Sequence, residues 1–321
     1  MNQLTDKESL LTEKKVGMKS GSVSVLILTF NEEKHIARCI ESVKSISENI
    51  FIVDSYSTDD TIAIAESLGA KCFQRKWENN YAQQYNWGLD NISFGTDWVM
   101  RLDADEYVLP ELAQEIKEKL ATLPGDVSGV SVNRRVIFLD KWIKHGGYYP
   151  TTLLRIWKTG SARLEQRWMD EHVKLDYGNV IHFENDIVDH NLNNLSWWTN
   201  KHNSYATREA VDFLIFKYKL GINESISKEV LGAQDKRKRW FKEKIYFNIP
   251  LFVRPFLYFV LRYFFQLGFI DGKQGLIWHY LQGFWYRFLV DAKVYEIYKK
   301  TGKDKKQIEL FFEREYNIKM R

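Results

Sequence analysis

The tripeptide Asp103-Ala-Asp105 closes an apolar run, Trp98-Val-Met-Arg-Leu102. On an extended backbone residues i and i+2 project to the same side, so the two carboxylates are expected to converge on one ion. Paired carboxylates that leave positions for water suit magnesium or manganese bridging phosphate oxygens. A divalent cation held there would stabilise the negative charge that develops as a sugar–phosphate bond breaks. Glu106 follows as a helper. Because D-x-D is a common tripeptide, its neighbours carry the argument. Asp54 also directly follows an apolar run, Ile50-Phe-Ile-Val53. It is therefore expected on the same sheet edge, where a carboxylate can accept hydrogen bonds from a base N–H or ribose hydroxyls. Thr29, Asn31 and Glu32, after the first apolar run, would line the same crevice.

The elements that must position these residues are legible as alternating strands and helices. Val23-Ser-Val-Leu-Ile-Leu-Thr-Phe30 reads as a strand buried on both faces of a parallel sheet. Ile36, Ile40, Val43 and Ile46 recur at helical spacing before the run 50–53, which completes a βαβ unit. The pattern repeats with Thr58 as N-cap, a helix through Leu68 ending at Gly69, and a strand Ala70 to Gln74. A third helix spans Tyr81 to Asn91. Such alternation predicts an α/β, doubly wound, Rossmann-like sheet whose ligand site lies beyond the strand C-termini. From Val127 to Leu175 the chain is rich in Val, Ile, Tyr and Trp, which predicts a β-rich extension. From Leu195 onward the spacing is helical, with breaks near Gly221, Pro250, Pro255, Gly268 and Gly272. The resulting division is a polar leader over 1–22, an α/β ligand-binding domain over 23–194, and a helical region over 195–321.

Hydrophobic residues at 45% and charged residues at 27% of 321 exclude wholesale disorder. The net charge of +4 conceals an asymmetry: residues 201–321 hold 24 Lys and Arg against 13 Asp and Glu. An excess of this kind suits an anionic surface, phospholipid or nucleic acid. Cys39 and Cys72 have no metal-site spacing and fit a reducing compartment. The charged first twenty residues contain no signal-peptide core, so a cytoplasmic location is expected.

Residues 23–106 resemble the nucleotide-binding half of family 2 glycosyltransferases. The matching pieces are Leu28-Thr-Phe-Asn-Glu32, Val53-Asp-Ser-x-Ser-x-Asp-x-Thr61, Asn86 in the helix before the acidic tripeptide, and Leu102-Asp-Ala-Asp105. The resemblance implies a GT-A fold, a nucleoside diphosphate-sugar donor, UDP by preference, a divalent metal (manganese or magnesium), and inversion at the anomeric carbon. By matching position Asp54 and Ser55 would lie at the nucleotide, Asp103 on the ribose or sugar side, and Asp105 on the metal. Inversion needs a general base opposite the leaving group. Trp168-Met-Asp-Glu-His172 supplies it where relatives resembling lipopolysaccharide-core glucosyltransferases carry His-Glu. Glu171 is preferred and Asp170 stands beside it, with Asp here where those relatives have His. Arg155 is expected either at a phosphate or at an ordinary strand edge. His190 is a further metal or diphosphate ligand, or a structural histidine. Trp197, Trp198, Lys201 and Tyr205 share one helix and either shape an acceptor pocket or pack in a core.

The stretch Gly268-Phe-Ile-Asp-Gly-Lys-x-Gly275 also matches those relatives and supports a glycan or lipid-linked acceptor in cell-surface polysaccharide synthesis. Arg254 and Arg262 leave too short an apolar run for a spanning helix, so the C-terminal helices are expected to lie on the inner face of the plasma membrane. A homo-oligomer contact is the competing use of the same aromatic residues. A nucleotidyltransferase would show a Gly-rich phosphate loop near Asn31, and none is present. A nucleic-acid partner is not expected, since it would leave the aspartates without a role.

Overall fold

The computed structural model describes residues 21–78, 80–165, 172–220, 249–316 and 318. The first strand, β1 (Val23–Thr29), is flanked by β2 (Asn49–Asp54) and β4 (Trp98–Asp103), both parallel to it. Beyond β2 lies β3 (Lys71–Gln74), again parallel. The remaining strands are β5 (Glu106–Val108), β6 (Val127–Phe138), β7 (Lys141–Trp142), β8 (Thr151–Lys158) and β11 (Asn179–His190). They extend the sheet in the order β3-β2-β1-β4-β8-β6-β11-β5, with β7 paired to β6. A separate ribbon is formed by β9 (Ala162–Leu164) and β10 (Val173–Leu175). The architecture is α/β, with a parallel half, an antiparallel extension through β8, and a helical C-terminal region.

The faces of β1 show why this sequence makes a doubly covered sheet. Val25 and Ile27 pack on one side with Ile36, Cys39, Ile40 and Val43 of α1 (Ile36–Val43) and Leu112, Ala113 and Ile116 of α4 (Pro110–Lys119). Leu26 points the other way, with Ala82 and Tyr85 of α3 (Tyr81–Asn91). Such a strand is a nearly continuous apolar run because alternate side chains enter different cores. Each fully buried Ile or Leu contributes roughly 1.5–3 kcal/mol. Register then sets the edge: Thr29 lies opposite Asp54 and Leu28 opposite Asp103, so three strands end level with one another. With β2 on one side of β1 and β4 on the other, this edge is the topological switch point.

Several boundaries differ from the sequence reading. Asp54 and Asp103 are the last residues of their strands rather than the first beyond them. The second helix, α2, spans Thr61–Ser67, not a segment capped by Thr58. Thr58 instead donates its N–H to Asn31 Oδ1 at 2.8 Å, while Asp59 accepts from the Thr61 N–H and hydroxyl at 3.1 and 2.5 Å. Loop-to-loop bonding thus displaced the cap by two residues, to Asp60.

The C-terminal layer begins at α5 (Leu195–Tyr218), whose N-cap Asn194 accepts from the Trp197 N–H at 2.9 Å. It packs with α8 (Tyr286–Thr301) and α9 (Lys305–Tyr316) through Ala210, Leu214, Val290, Val294 and Phe312. Two further helices are α6 (Val253–Val260) and α7 (Gly272–Trp278), each running into a π-helical segment, Leu261–Phe265 and His279–Trp285. Pro255 does not break α6; it sits in the first turn, where its missing N–H leaves no bond unmade. Arg254 is no interfacial charge either, being 2% exposed and ion-paired with the fully buried Asp291. Trp198 and Trp278 join Val136, Phe138 and Ile143 in the cluster that fastens this layer to the sheet.

Candidate active site

A cleft of 1820 Å³ opens at the switch point and runs between the sheet edge and the C-terminal helices. Thr29, Asn31, Glu32, Ser55, Asp103, Asp105 and His190 all line it. Asn31 adopts a left-handed conformation, φ 56°, that turns the chain out of β1. The loop so formed is sewn to the loop after β2: the Asn31 N–H donates to Ser57 Oγ at 2.8 Å and the Glu32 N–H to Thr61 Oγ1 at 2.7 Å. His35 fixes the Glu32 carboxylate. Its Nε2 accepts from the Leu192 N–H at 2.8 Å, so Nδ1 carries the proton and donates to Glu32 at 2.6 Å.

Asp103 and Asp105 face different partners, because Ala104-Asp105 is a turn between β4 and β5 rather than extended backbone. Asp103 accepts from the Tyr81 hydroxyl at 2.5 Å and lies 3.4 Å from Arg101 Nε and 3.5 Å from Arg155 Nη2. Burial pushes this carboxyl upward, but Arg101, Arg155 and the Tyr81 hydroxyl outweigh it and hold Asp103 well below the usual range. Asp105 accepts from Asn191 Nδ2 at 3.0 Å. Among the described residues no group of three or more His, Cys, Asp or Glu side chains is assembled around an ion position. The donor set nonetheless fits a hard cation: two carboxylates on one cleft wall leave the remaining positions to phosphate oxygens and water.

His190 reaches the same wall, but both ring nitrogens are engaged. Arg38 Nη1 lies 3.2 Å from Nδ1, which places the proton on Nε2, 3.6 Å from Asp140 Oδ1. Burial and the Arg38 charge lower its pKa. Arg38 also donates to the backbone carbonyls of His190 and Asp105, at 2.5 and 3.3 Å, so one guanidinium ties the acidic turn to the end of β11.

Three sequence candidates lie beneath the cleft instead of on its wall. Asp54 is fully buried and accepts from the Thr29 hydroxyl at 2.8 Å, the Ser57 N–H at 2.8 Å and the Ser57 hydroxyl at 2.5 Å. Asn86 exchanges two hydrogen bonds with the Leu164 backbone, at 2.9 and 3.0 Å, and so pins β9 to α3. Arg155, 3% exposed, is ion-paired with the equally buried Glu106, whose other oxygen accepts from the Asp103 N–H at 3.0 Å. Burial, with the nearby Asp103 charge, raises Glu106 to about 8 against the pull of Arg155. Asp170 and Glu171 lie outside the described residues.

The family model "Glycosyl transferase family 2" matches residues 24–189, more than half the chain. The chain belongs to glycosyl transferase family 2. Among its relatives, an uncharacterized glycosyltransferase of Rickettsia conorii is 43% identical over 95 residues, 30% of this chain and 33% of that protein. That match spans about a third of the relative's length. The lipopolysaccharide core biosynthesis glycosyltransferase LpsC of Rhizobium meliloti is 26% identical over 292 residues, 85% of this chain and 92% of that protein. A solved glucosyl-3-phosphoglycerate synthase from Mycobacterium tuberculosis is 24% identical, covering 39% of this chain and 47% of its own, with a TM-score of 0.30.

Within this family 2 chain the cleft contains residues that the sequence did not single out. Arg134 and Asp189 line it, with Nη1 of the arginine 3.4 Å from the carboxylate. Burial lifts Asp189 to about 6 against Arg134, helped by the charges of Asp105 and Asp103. Tyr81 and Trp77 line the cleft as well. Asp189 adjoins His190 and was within reach of a motif search, whereas Arg134 sits mid-strand with no local signal.

Proposed function

We propose that the protein transfers a sugar, with inversion, from a nucleoside diphosphate-sugar to a hydroxyl of a glycan or lipid-linked acceptor. The observation that carries this reading is the acidic turn Asp103–Asp105, set at the switch point on the wall of a 1820 Å³ cleft. Pockets for one small ligand are typically about 300–1,000 Å³, so this volume suits a donor and an acceptor together. Similarity to LpsC over most of both chains supports an acceptor in lipopolysaccharide or another cell-surface glycan.

Asp105 and Asp103 would hold a manganese or magnesium ion, which when bound supplies positive charge to the departing diphosphate. The protein's own residues prepare that site. Arg101, Arg155 and Tyr81 keep Asp103 ionised and fixed, and Asn191 orients Asp105. Thr29, Asn31, Glu32 and Ser55 offer polar atoms to the nucleotide, with Asp54 holding their loops in place. His190 serves as an orienting neighbour of the acidic turn through Arg38. A carboxylate at Glu171, with Asp170 beside it, accepts the acceptor hydroxyl's proton as the oxygen attacks the face opposite the leaving group.

Transfer or hydrolysis of UDP-hexoses in manganese tests the reading. Asp105→Asn should lower turnover by at least about 100-fold, the several kcal/mol such a cation supplies. Turnover that survives both that substitution and removal of divalent metal would sink it. For the C-terminal layer we infer a peripheral seat on an anionic membrane surface at the cytoplasmic face. No helix among the described residues is long and apolar enough to cross a membrane, and α6 carries an exposed apolar stripe that vesicle flotation can examine.

A further inference from the structure

The charges that line the cleft are segregated along its length. Five of its six described carboxylates, Glu32, Asp103, Asp105, Asp140 and Asp189, come from the sheet and its loops. The helices contribute the opposite sign: Lys201 and Arg208 from α5, Arg262 after α6, and Arg287 from α8, with Glu209 as their one described carboxylate; on the sheet side the one described Lys or Arg is Arg134, which is paired with Asp189. Helix α5 runs from one end to the other. Its lining residues Trp197, Lys201, Tyr205 and Arg208 recur at helical spacing. Lys201 feels the charges of Asp105, Glu32 and Asp189 and so marks the acidic end. Arg208, seven residues on, lies about 10 Å farther along the axis.

At the far end Arg262 lies 4.2 Å over the Tyr148 ring and 5.1 Å from the Tyr258 ring, and Arg287 lies 4.1 Å over the Tyr258 ring. The Arg262 Nε is buried without a hydrogen-bond partner among the described residues. Glu209 is already approached by the Tyr286 hydroxyl at 2.7 Å. Burial would raise the Tyr258 hydroxyl, yet the Arg287 and Arg262 charges bring it below its usual value, which registers the positive field. Two guanidinium groups stacked on tyrosine faces are fixed in orientation, and fixed guanidinium forks suit planar carboxylates and phosphates.

We propose that this basic end, built on Arg262 and Arg287 with Arg208 of α5, is an acceptor subsite for an anionic sugar bearing a carboxylate or phosphate. The proposal rests on the glycosyltransferase reading, since it assigns the part of the cleft the donor leaves open. The acidic end repels such a sugar and the basic end attracts it, so the charge gradient orients the acceptor.

The test uses the full-length protein saturated with UDP and manganese. Binding of glucuronate, glucose 6-phosphate and glucose is measured by calorimetry. A dissociation constant at least tenfold lower for either anionic sugar than for glucose is expected, and which one gains identifies carboxylate or phosphate. Arg262→Gln and Arg287→Gln should each remove most of that tenfold preference. Equal binding of glucose and both anionic sugars by the wild-type protein overturns the proposal without reliance on any variant. So does a preference that both variants retain, or arginine-dependent binding to phosphatidylglycerol vesicles with none to the soluble sugars. Failure of UDP to bind in manganese marks instead the failure of the glycosyltransferase reading, and it is recorded first in the same samples.

Discussion

His279 is fully buried, and both of its ring nitrogens lack a hydrogen-bond partner among the described residues. It fits only because Gly146 and Gly268 have no side chain: a Cβ on Gly146 would come within 1.9 Å of the imidazole and one on Gly268 within 2.4 Å. Burial first, then the Arg262 charge, lower its pKa to about 4, with Asp271 opposing. His202, stacked on Trp198, is likewise brought to about 4 by burial and, more weakly, by Lys201, against the Trp198 carbonyl and Gln282. Both folded pKa values lie below the unfolded value near 6.5, so the unfolded chain binds more protons between these limits. Stability is therefore complete above about pH 6.5 and declines as pH falls toward 4. Thermal melts should show Tm dropping several degrees from pH 7 to pH 5, at about 2–4 °C per kcal/mol. The decline should be shallower in His279→Gln; parallel profiles for the two proteins would refute this account. Neither histidine was legible as a packing residue, because the spacing of residues does not show that Gly146 and Gly268 close on His279 or that His202 stacks on Trp198. Asp103, Asp105 and the loop after β1 were legible because a short polar motif directly ends an apolar strand. Asp54 was legible as important, but its burial under Ser57 depended on a loop conformation that no spacing encodes.

Helix α1 shows how an element aligns several parts of the site at once. Its inner face, Ile36, Cys39, Ile40 and Val43, is buried against the sheet, which leaves Arg38 directed at the acidic turn and the end of β11. Arg38 also stacks on Tyr107 of β5, with its Cζ 4.7 Å from the ring centroid. The guanidinium thus holds the Asp105 and His190 backbones in one register through their carbonyl oxygens. Residues that orient ligands in this way commonly affect metal affinity or activity by about 10–100-fold when removed. Arg38→Ala should accordingly raise the manganese concentration needed for half-maximal UDP binding by roughly tenfold. A half-saturation equal to wild type, even with a lowered Tm, would mean that Arg38 only packs. The amphipathic spacing revealed α1 itself, whereas no motif marks Arg38; its task appears only once β11 and β5 pair antiparallel and bring His190 beside Asp105.

Across the whole molecule, the C-terminal layer inverts the usual arrangement of a surface helix. Soluble helices place their apolar stripe inward, but α6 and the π-turn after it bury Arg254 and Pro255 and expose Phe256, Leu257, Leu261, Phe264 and Phe265, the last at 77%. Leu267, Phe269 and Ile270 continue the exposed surface through the next turn. A stripe of this kind lies naturally at the acyl–headgroup boundary, and each nearby Lys or Arg adds about 1 kcal/mol on an anionic leaflet. The excess of 24 basic over 13 acidic residues in 201–321 supplies that second contribution. Vesicles containing phosphatidylglycerol should therefore carry the protein upward in a flotation gradient at physiological salt. Phe264→Ser with Phe265→Ser should reduce the bound fraction several-fold while UDP binding in manganese persists. Neutral phosphatidylcholine vesicles should recover less protein than anionic ones, since they lack the electrostatic contribution. A soluble dimer whose dissociation follows the same two substitutions would place a second copy of the chain, not lipid, against the stripe, and would overturn the membrane reading.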